Sequence, residues 1–179
     1  KEIAVVERNP RHGKFIAFKL ARHWVALPAV AVLRIVNCPP PEQGGTIDFG
    51  VVQLGPHTIR LLDLRSRWKL QPEAVPEKLP FLLVMRGPQQ TLWGIALETP
   101  PDLLELPLST FKSVPLEKRM NRKLQWISHM TVITERDIHR TLLLLDLKAV
   151  FQSKVSEHTT KRPRQNQSHA SSTQPVRQN

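Results

Sequence analysis

Phe49-Gly-Val-Val-Gln-Leu-Gly-Pro-His-Thr-Ile-Arg-Leu-Leu-Asp-Leu-Arg-Ser-Arg-Trp68 is the stretch that decides the fold. Val51 to Leu54 is one short apolar run and Thr58 to Leu64 a second, with Gly55-Pro56 supplying the bend between them. That pattern predicts a β-hairpin with a tight loop. Pro56 has no N–H to give a ladder, so it belongs to the turn. After Leu64 the apolar alternation gives way to Arg65, Arg67 and Lys69, as when a strand leaves the core for a surface turn. Asp63, between Leu62 and Leu64, has no second carboxylate nearby. It is read as an acceptor for turn N–H groups and not as a catalytic acid.

The same grammar repeats on both sides of this hairpin. Upstream, Phe15 to Leu20 and Trp24 to Leu27 read as a strand pair about Ala21-Arg22-His23, after a loop at Asn9–Gly13. Ala29 to Val36 is a buried strand or a short helix, since periodicity cannot arbitrate so short a run. Asn37 to Gly45, with three consecutive prolines, is a stiff connector. Downstream, Phe81 to Met85 and Thr91 to Leu97 pair around another Gly-Pro turn, and Trp126 to Thr134 pairs with Thr141 to Leu145. Leu103 to Val114 is extended and broken by Pro107. Leu116 to Leu124 has helical composition, and Asp146 caps a short helix ending at Phe151. Short strands with frequent turns predict an all-β chain closed into barrels. The strand pairs outnumber what one small barrel holds, so two barrels sharing a core are expected.

Composition adds bounds. The chain has 179 residues, 40% of them hydrophobic, and a formal net charge of +11. Residues 153–179 are rich in Gln, Asn, Ser and Thr and are expected to be disordered, because they cannot bury enough apolar surface to offset ordering entropy. From Lys154 on, five Lys/Arg against Glu157 make the tail +4. The domain reading is therefore 1–14 as an N-terminal segment, 15–152 as the folded unit and 153–179 as the tail. A lone Cys38 precludes an internal disulfide. The longest apolar run, Val25 to Leu33, is nine residues against the roughly 20 a bilayer crossing needs. No signal-peptide pattern opens the chain.

Four of these pieces, taken in order, resemble the CheW-like domain of bacterial chemosensory systems over about Phe15 to Phe151. Phe15-Ile-Ala-Phe-Lys-Leu20 with Trp24-Val-Ala-Leu-Pro28 resembles its opening strand pair. Gly50-Val-Val-Gln-Leu54 with Leu61-Leu-Asp-Leu-Arg65 resembles its central hairpin. Trp93-Gly-Ile-Ala-Leu-Glu98 and Leu142-Leu-Leu-Leu-Asp-Leu-Lys-Ala-Val-Phe151 resemble later strands and the closing segment. The resemblance implies two five-stranded β-barrels around a common hydrophobic core. It also implies a non-catalytic, cofactor-free cytoplasmic adaptor joining a histidine kinase regulatory domain to the chemoreceptor cytoplasmic tip, beside membrane-bound receptor arrays. The partner-binding residues it implies line the inter-barrel groove and the hairpin: Val32, Arg34, Val52, Gln53, Leu54 and Arg60, with Leu97 and Glu98.

The chain departs from the family at two places. The hairpin tip lacks the usual arginine, having Gln53-Leu54-Gly55-Pro56. Loss of a hot-spot side chain costs about 2–4 kcal/mol, roughly 30- to 1000-fold in affinity; Arg60 on the returning strand is the candidate substitute. Arg34 stands where the family often has an acid, a reversal that tends to reprogram partners.

Other chemistries find little support. Seven histidines are scattered without ligand spacing. Ser128 and His129 are strand neighbours and are expected to face apart. No Gly-rich phosphate loop is present. Trp24, Trp93 and Trp126 lie in apolar runs and read as core, whereas Trp68, between Arg67 and Lys69, reads as an exposed anchor. The rival function is single-stranded nucleic-acid binding in a basic groove with stacking aromatics. A +11 charge equally suits an acidic protein or anionic membrane surface. A third reading keeps the fold and makes the chain the CheW-like regulatory part of a larger kinase.

Overall fold

A computed structural model describes residues 11–68, 78–121 and 124–152. The expected N-terminal segment, apart from its last residues, and the expected disordered tail lie outside them. Among the described residues eleven strands form two sheets. The first contains β1 (His12–Leu20), β2 (His23–Pro28), β8 (Asp102–Pro107), β9 (Lys112–Ser113), β10 (Ile127–Glu135) and β11 (Ile138–Leu145). Its order is β8-β1-β2-β11-β10-β9. The second contains β3 (Val32–Asn37), β4 (Val51–Leu54), β5 (His57–Leu61), β6 (Phe81–Arg86) and β7 (Leu92–Leu97), in the order β3-β6-β7-β5-β4. Each is antiparallel but for one parallel pairing, β11 with β2 and β5 with β7.

Connection length forces the first sheet to curl. β8 and β9 lie at its opposite ends, yet only residues 108–111 join them. Five Cα steps reach at most about 18 Å, while six flat strands would span about 24 Å. The sheet must therefore roll up. The link crosses the rolled edge, with Phe111 against Phe15 at 4.9 Å between ring centroids and Thr131 Oγ1 donating to Thr110 Oγ1 at 3.1 Å. In the second sheet the end strands are bridged by residues 38–50. Cys38 N donates to the Pro80 carbonyl at 2.7 Å, and Gln53 N to the Gly44 carbonyl at 2.8 Å.

Rolling creates an interior in each sheet, and strand alternation sorts side chains between it and a seam. In β1, Phe15 and Ala17 fill the first interior with Ala26 and Leu142, whereas Ile16, Phe18 and Leu20 face the other way. In β6, Leu82 and Val84 fill the second interior with Val52 and Ile59, whereas Leu83 and Met85 face out. The outward sets meet, with Val25, Leu27, Trp93, Ile95, Leu97 and Leu145, in one continuous core between the sheets. The all-β, double-barrel expectation holds, and the first sheet gains β9 as a sixth, two-residue strand.

Local signals hold in most places. Leu54 opposite His57 leaves a two-residue loop in which Gly55, at φ 57, takes the left-handed first position. Asp63 Oδ1 accepts from Ser66 N at 3.1 Å and caps the single turn α1 (Leu64–Arg67). Asp146 Oδ1 accepts from Ala149 N at 3.1 Å and caps α3, residues 147–152. The ambiguous run resolves into a 3-10 turn, Ala29–Ala31, followed by β3. Three expectations need correction. β1 begins at His12, inside the expected loop, because β8 pairs with it as far as Pro107. Among the described residues, only Leu116–Arg119 of the 116–124 stretch is α-helical (α2). Ser128 and His129 do not face apart: a bulge shifts the register there and brings His129 Nδ1 to 2.9 Å from Ser128 Oγ. Among the described residues no carboxylate hydrogen-bonds His129, so the third member of a nucleophile–base–orienter set is missing.

Two outcomes test this architecture. Gly45 lies where a Cβ would sit 1.7 Å from the Pro39 carbonyl oxygen, a backbone atom that cannot swing aside. Gly45→Ala is expected to lose about 1–3 kcal/mol in denaturant unfolding, and an unchanged midpoint would mean the 38–50 bridge does not hold the second barrel. Burial pushes the Cys38 thiol above its ordinary pKa. Iodoacetamide at pH 8.5 is thus expected to label Cys38 more slowly in folded than in urea-unfolded chain; equal rates would count against the burial.

Candidate partner-binding surface

In a chain whose sheets are rolled and fused, the end strands are the places where backbone and side chains still face outward. Among the described residues β3 ends the second sheet and pairs only with β6. Its register shifts between Val32 and Arg34, leaving Leu33 as the bulged residue. A bulge twists an edge strand and re-aims its side chains. Three consecutive residues, Leu33, Arg34 and Ile35, are exposed as a result, with Leu33 at 44% and Ile35 at 43%. Val30, in the preceding turn, is 95% exposed. Val32 is half-buried and packs against the seam. Among the described residues the Arg34 side chain has no salt bridge or hydrogen bond. The strip is therefore apolar with an unpaired cation at its middle.

The hairpin is less available. Gln53 is exposed, but its side chain is engaged at both ends: Nε2 donates to the Gly55 carbonyl and Oε1 accepts from Thr58 Oγ1, each at 2.8 Å. Leu54 is half-buried against the second interior. Arg60 is exposed, its guanidinium 5.9 Å from the centroid of the Trp93 ring. That is the outer limit of a cation–π contact. Glu98 is exposed just past the end of β7.

Of the eight implied binding residues and the expected anchor Trp68, three are in the core instead. Val52 is inside the second barrel with no exposure, and Leu97, 1% exposed, is in the seam. Trp68, expected as the exposed anchor, is 4% exposed. The capped α1 turn carries it back inward, where its ring stacks on Trp126 at 6.5 Å. The charge beside it does not mark solvent: the Arg67 guanidinium lies over the Trp126 ring at 5.3 Å. Trp93 and Trp126 are buried as expected, while Trp24 is half-buried beneath the Arg140 guanidinium at 4.7 Å. Sequence reasoning missed Val30, Leu33, Ile35 and the 84% exposed Phe49. The one available signal was Arg34 interrupting an otherwise apolar run. Among the described residues no group of three His, Cys, Asp or Glu is placed to hold a metal, and no helix is long and apolar enough to cross a membrane.

The burial of Trp68 yields a clear outcome. Trp68→Ala is expected to cost about 3–5 kcal/mol of stability, and Trp68→Phe less, because it keeps a ring and deletes an indole N–H that has no partner. Arg60→Ala is expected to stay within about 0.5 kcal/mol of the parent. Thermal unfolding of the three variants checks the order, and a Trp68→Ala chain as stable as the parent would restore an exposed tryptophan.

Among known proteins, the crystal structure of the scaffolding protein TtCheW from Thermoanaerobacter tengcongensis superposes with a TM-score of 0.59. The match covers 81% of this chain and 91% of that one at 14% identity, a likeness of fold. No curated protein matches the chain. The family model for the CheW-like domain matches residues 14–155. With most of its length under that model and both rolled sheets in place, the chain belongs to the CheW-like domain family.

Proposed function

We propose that this chain is a non-catalytic adaptor of a cytoplasmic chemosensory array, joining the regulatory domain of a histidine kinase to the cytoplasmic tip of chemoreceptors. Family membership supports binding without turnover. The observation that carries the reading on this chain is the bulged β3 edge, where Leu33 and Ile35 flank the unpaired Arg34. A regular edge strand invites indiscriminate strand addition, and a bulge blunts it. What remains is a side-chain surface, apolar enough to hold a protein and charged enough to choose one. The nucleic-acid alternative draws no support from the tryptophans, because Trp68, Trp93 and Trp126 are buried and offer no stacking face.

The test is direct binding of the full chain to a purified kinase regulatory domain and to a receptor cytoplasmic fragment, by calorimetry. Leu33→Asp with Ile35→Asp is expected to weaken one of the two by at least roughly tenfold, about 1.4 kcal/mol, with the unfolding midpoint unchanged. Arg34→Glu is expected to weaken the same partner. Failure of the parent chain to bind either partner, alongside tight, salt-sensitive binding to single-stranded oligonucleotide, would overturn the reading.

A further inference from the structure

The first barrel carries an apolar depression that the β3 reading does not use. It lies between β9, the following α2 turn and the strands β10 and β11, with a volume of ≈ 560 Å³. Val114, Leu124, Met130 and Val132 form its apolar lining, and Lys112 and Lys118 stand at its rim. Val132 is 60% exposed, and beside the depression α2 and its C-cap hold Leu116 at 76% and Met120 at 87% exposure. This is more bare apolar surface than isolated exposed side chains would give.

Charge and shape together say what fits. No carboxylate lines the groove among the described residues, and Arg119 next to Lys118 is already held by Asp146 at 2.6 Å. Lys112 and Lys118 are both exposed. An occupant must therefore be apolar on the face it buries and acidic along its flank. The chain's own residues 154–179 are the wrong chemistry, with five Lys/Arg, one Glu and scarcely a large apolar side chain. Strand addition is excluded by length, since β9 is two residues and the next amide, Val114 N, is taken by the Ser128 carbonyl at 2.9 Å. A helix laid in a groove needs no free backbone edge and presents its apolar stripe every three to four residues.

We propose that this groove docks an amphipathic helix of a partner protein, apolar on one face and acidic beside it. The inference does not rest on the kinase–receptor reading, because it concerns a different sheet.

The probe is a synthetic helical peptide with a leucine stripe flanked by glutamates, titrated into the isotope-labelled full chain and followed by methyl and amide NMR. Shifts are expected at Val114, Met130 and Val132, with affinity falling as salt rises. A peptide with lysines in place of the glutamates is expected to bind at least roughly tenfold more weakly. The Lys112→Glu, Lys118→Glu double variant is expected to reverse that preference, and Val132→Asp, at an exposed position, to abolish binding without changing the amide spectrum elsewhere. Equal binding of both peptides, or shifts confined to β3, would overturn the proposal. So would a rise in affinity on deleting residues 154–179, which would assign the groove to the tail. A concentration-dependent dimer in light scattering that the double lysine variant abolishes would assign it to a second copy, with the same consequence.

Discussion

The structure depends on a doubly used surface. Over the central residues of β1, β2, β6 and β7 and the second half of β11 neither face is left for solvent: one fills the interior of a rolled sheet and the other fills the seam between the two sheets. A one-residue slip in any of these strands would exchange the two sets. Phe18, 2% exposed in the seam, would trade places with Ala17, 0% exposed in a barrel interior. The interior has no room for the ring and the seam would be left with a void, so the register is specified from both sides. Neither barrel can shift against the other without disturbing its own filling. The two sheets consequently behave as one packed body, although each has its own strand order.

That economy explains where binding surfaces can and cannot arise. Leu97 is unavailable because both faces of β7 are committed, and Val52 because it lies on the inward face of the end strand β4, next to the exposed Gln53. The end strands have one side free. β3 uses a bulge to turn Leu33, Arg34 and Ile35 outward, and β9 is cut to two residues, its flank left as a groove. Both devices remove a clean backbone edge and replace it with side chains. An assembly protein gains from this, because backbone edges pair with almost anything while side-chain patterns discriminate.

Much of this was legible in the chain itself. Gly55-Pro56 announces its turn because glycine takes the left-handed first position of a two-residue loop at no steric cost and proline cannot continue the ladder. Asp63 and Asp146 announce their caps because a lone acid before a turn has N–H groups waiting for it. The order of turns was enough for the all-β class. What was hidden follows from two physical facts. A bulge changes the parity of a strand without leaving a mark in composition, so Leu33 and Ile35 read as buried and Ser128 and His129 read as facing apart. The second is that arginine is amphipathic. Its planar cation lies on aromatic rings as readily as in water, and so Arg67 next to Trp68 signalled exposure when it was covering Trp126. Strand membership was recoverable, but which way each side chain turns was not.

The cations that remain outward give the surface its chemical sense. An exposed lysine or arginine adds little to how long a complex lasts, since water and salt screen it, but it governs which encounters are productive. Apolar area does the converse, holding whatever arrives without choosing it. On the β3 edge the two functions are interleaved residue by residue, Leu33, Arg34, Ile35; at the groove they are separated, with lysines on the rim and methyl groups on the floor. The two surfaces belong to different barrels, and the seam fixes one barrel against the other. Partners held at both would thus be held at a set mutual orientation, which a flexible tether between two binding sites could not impose.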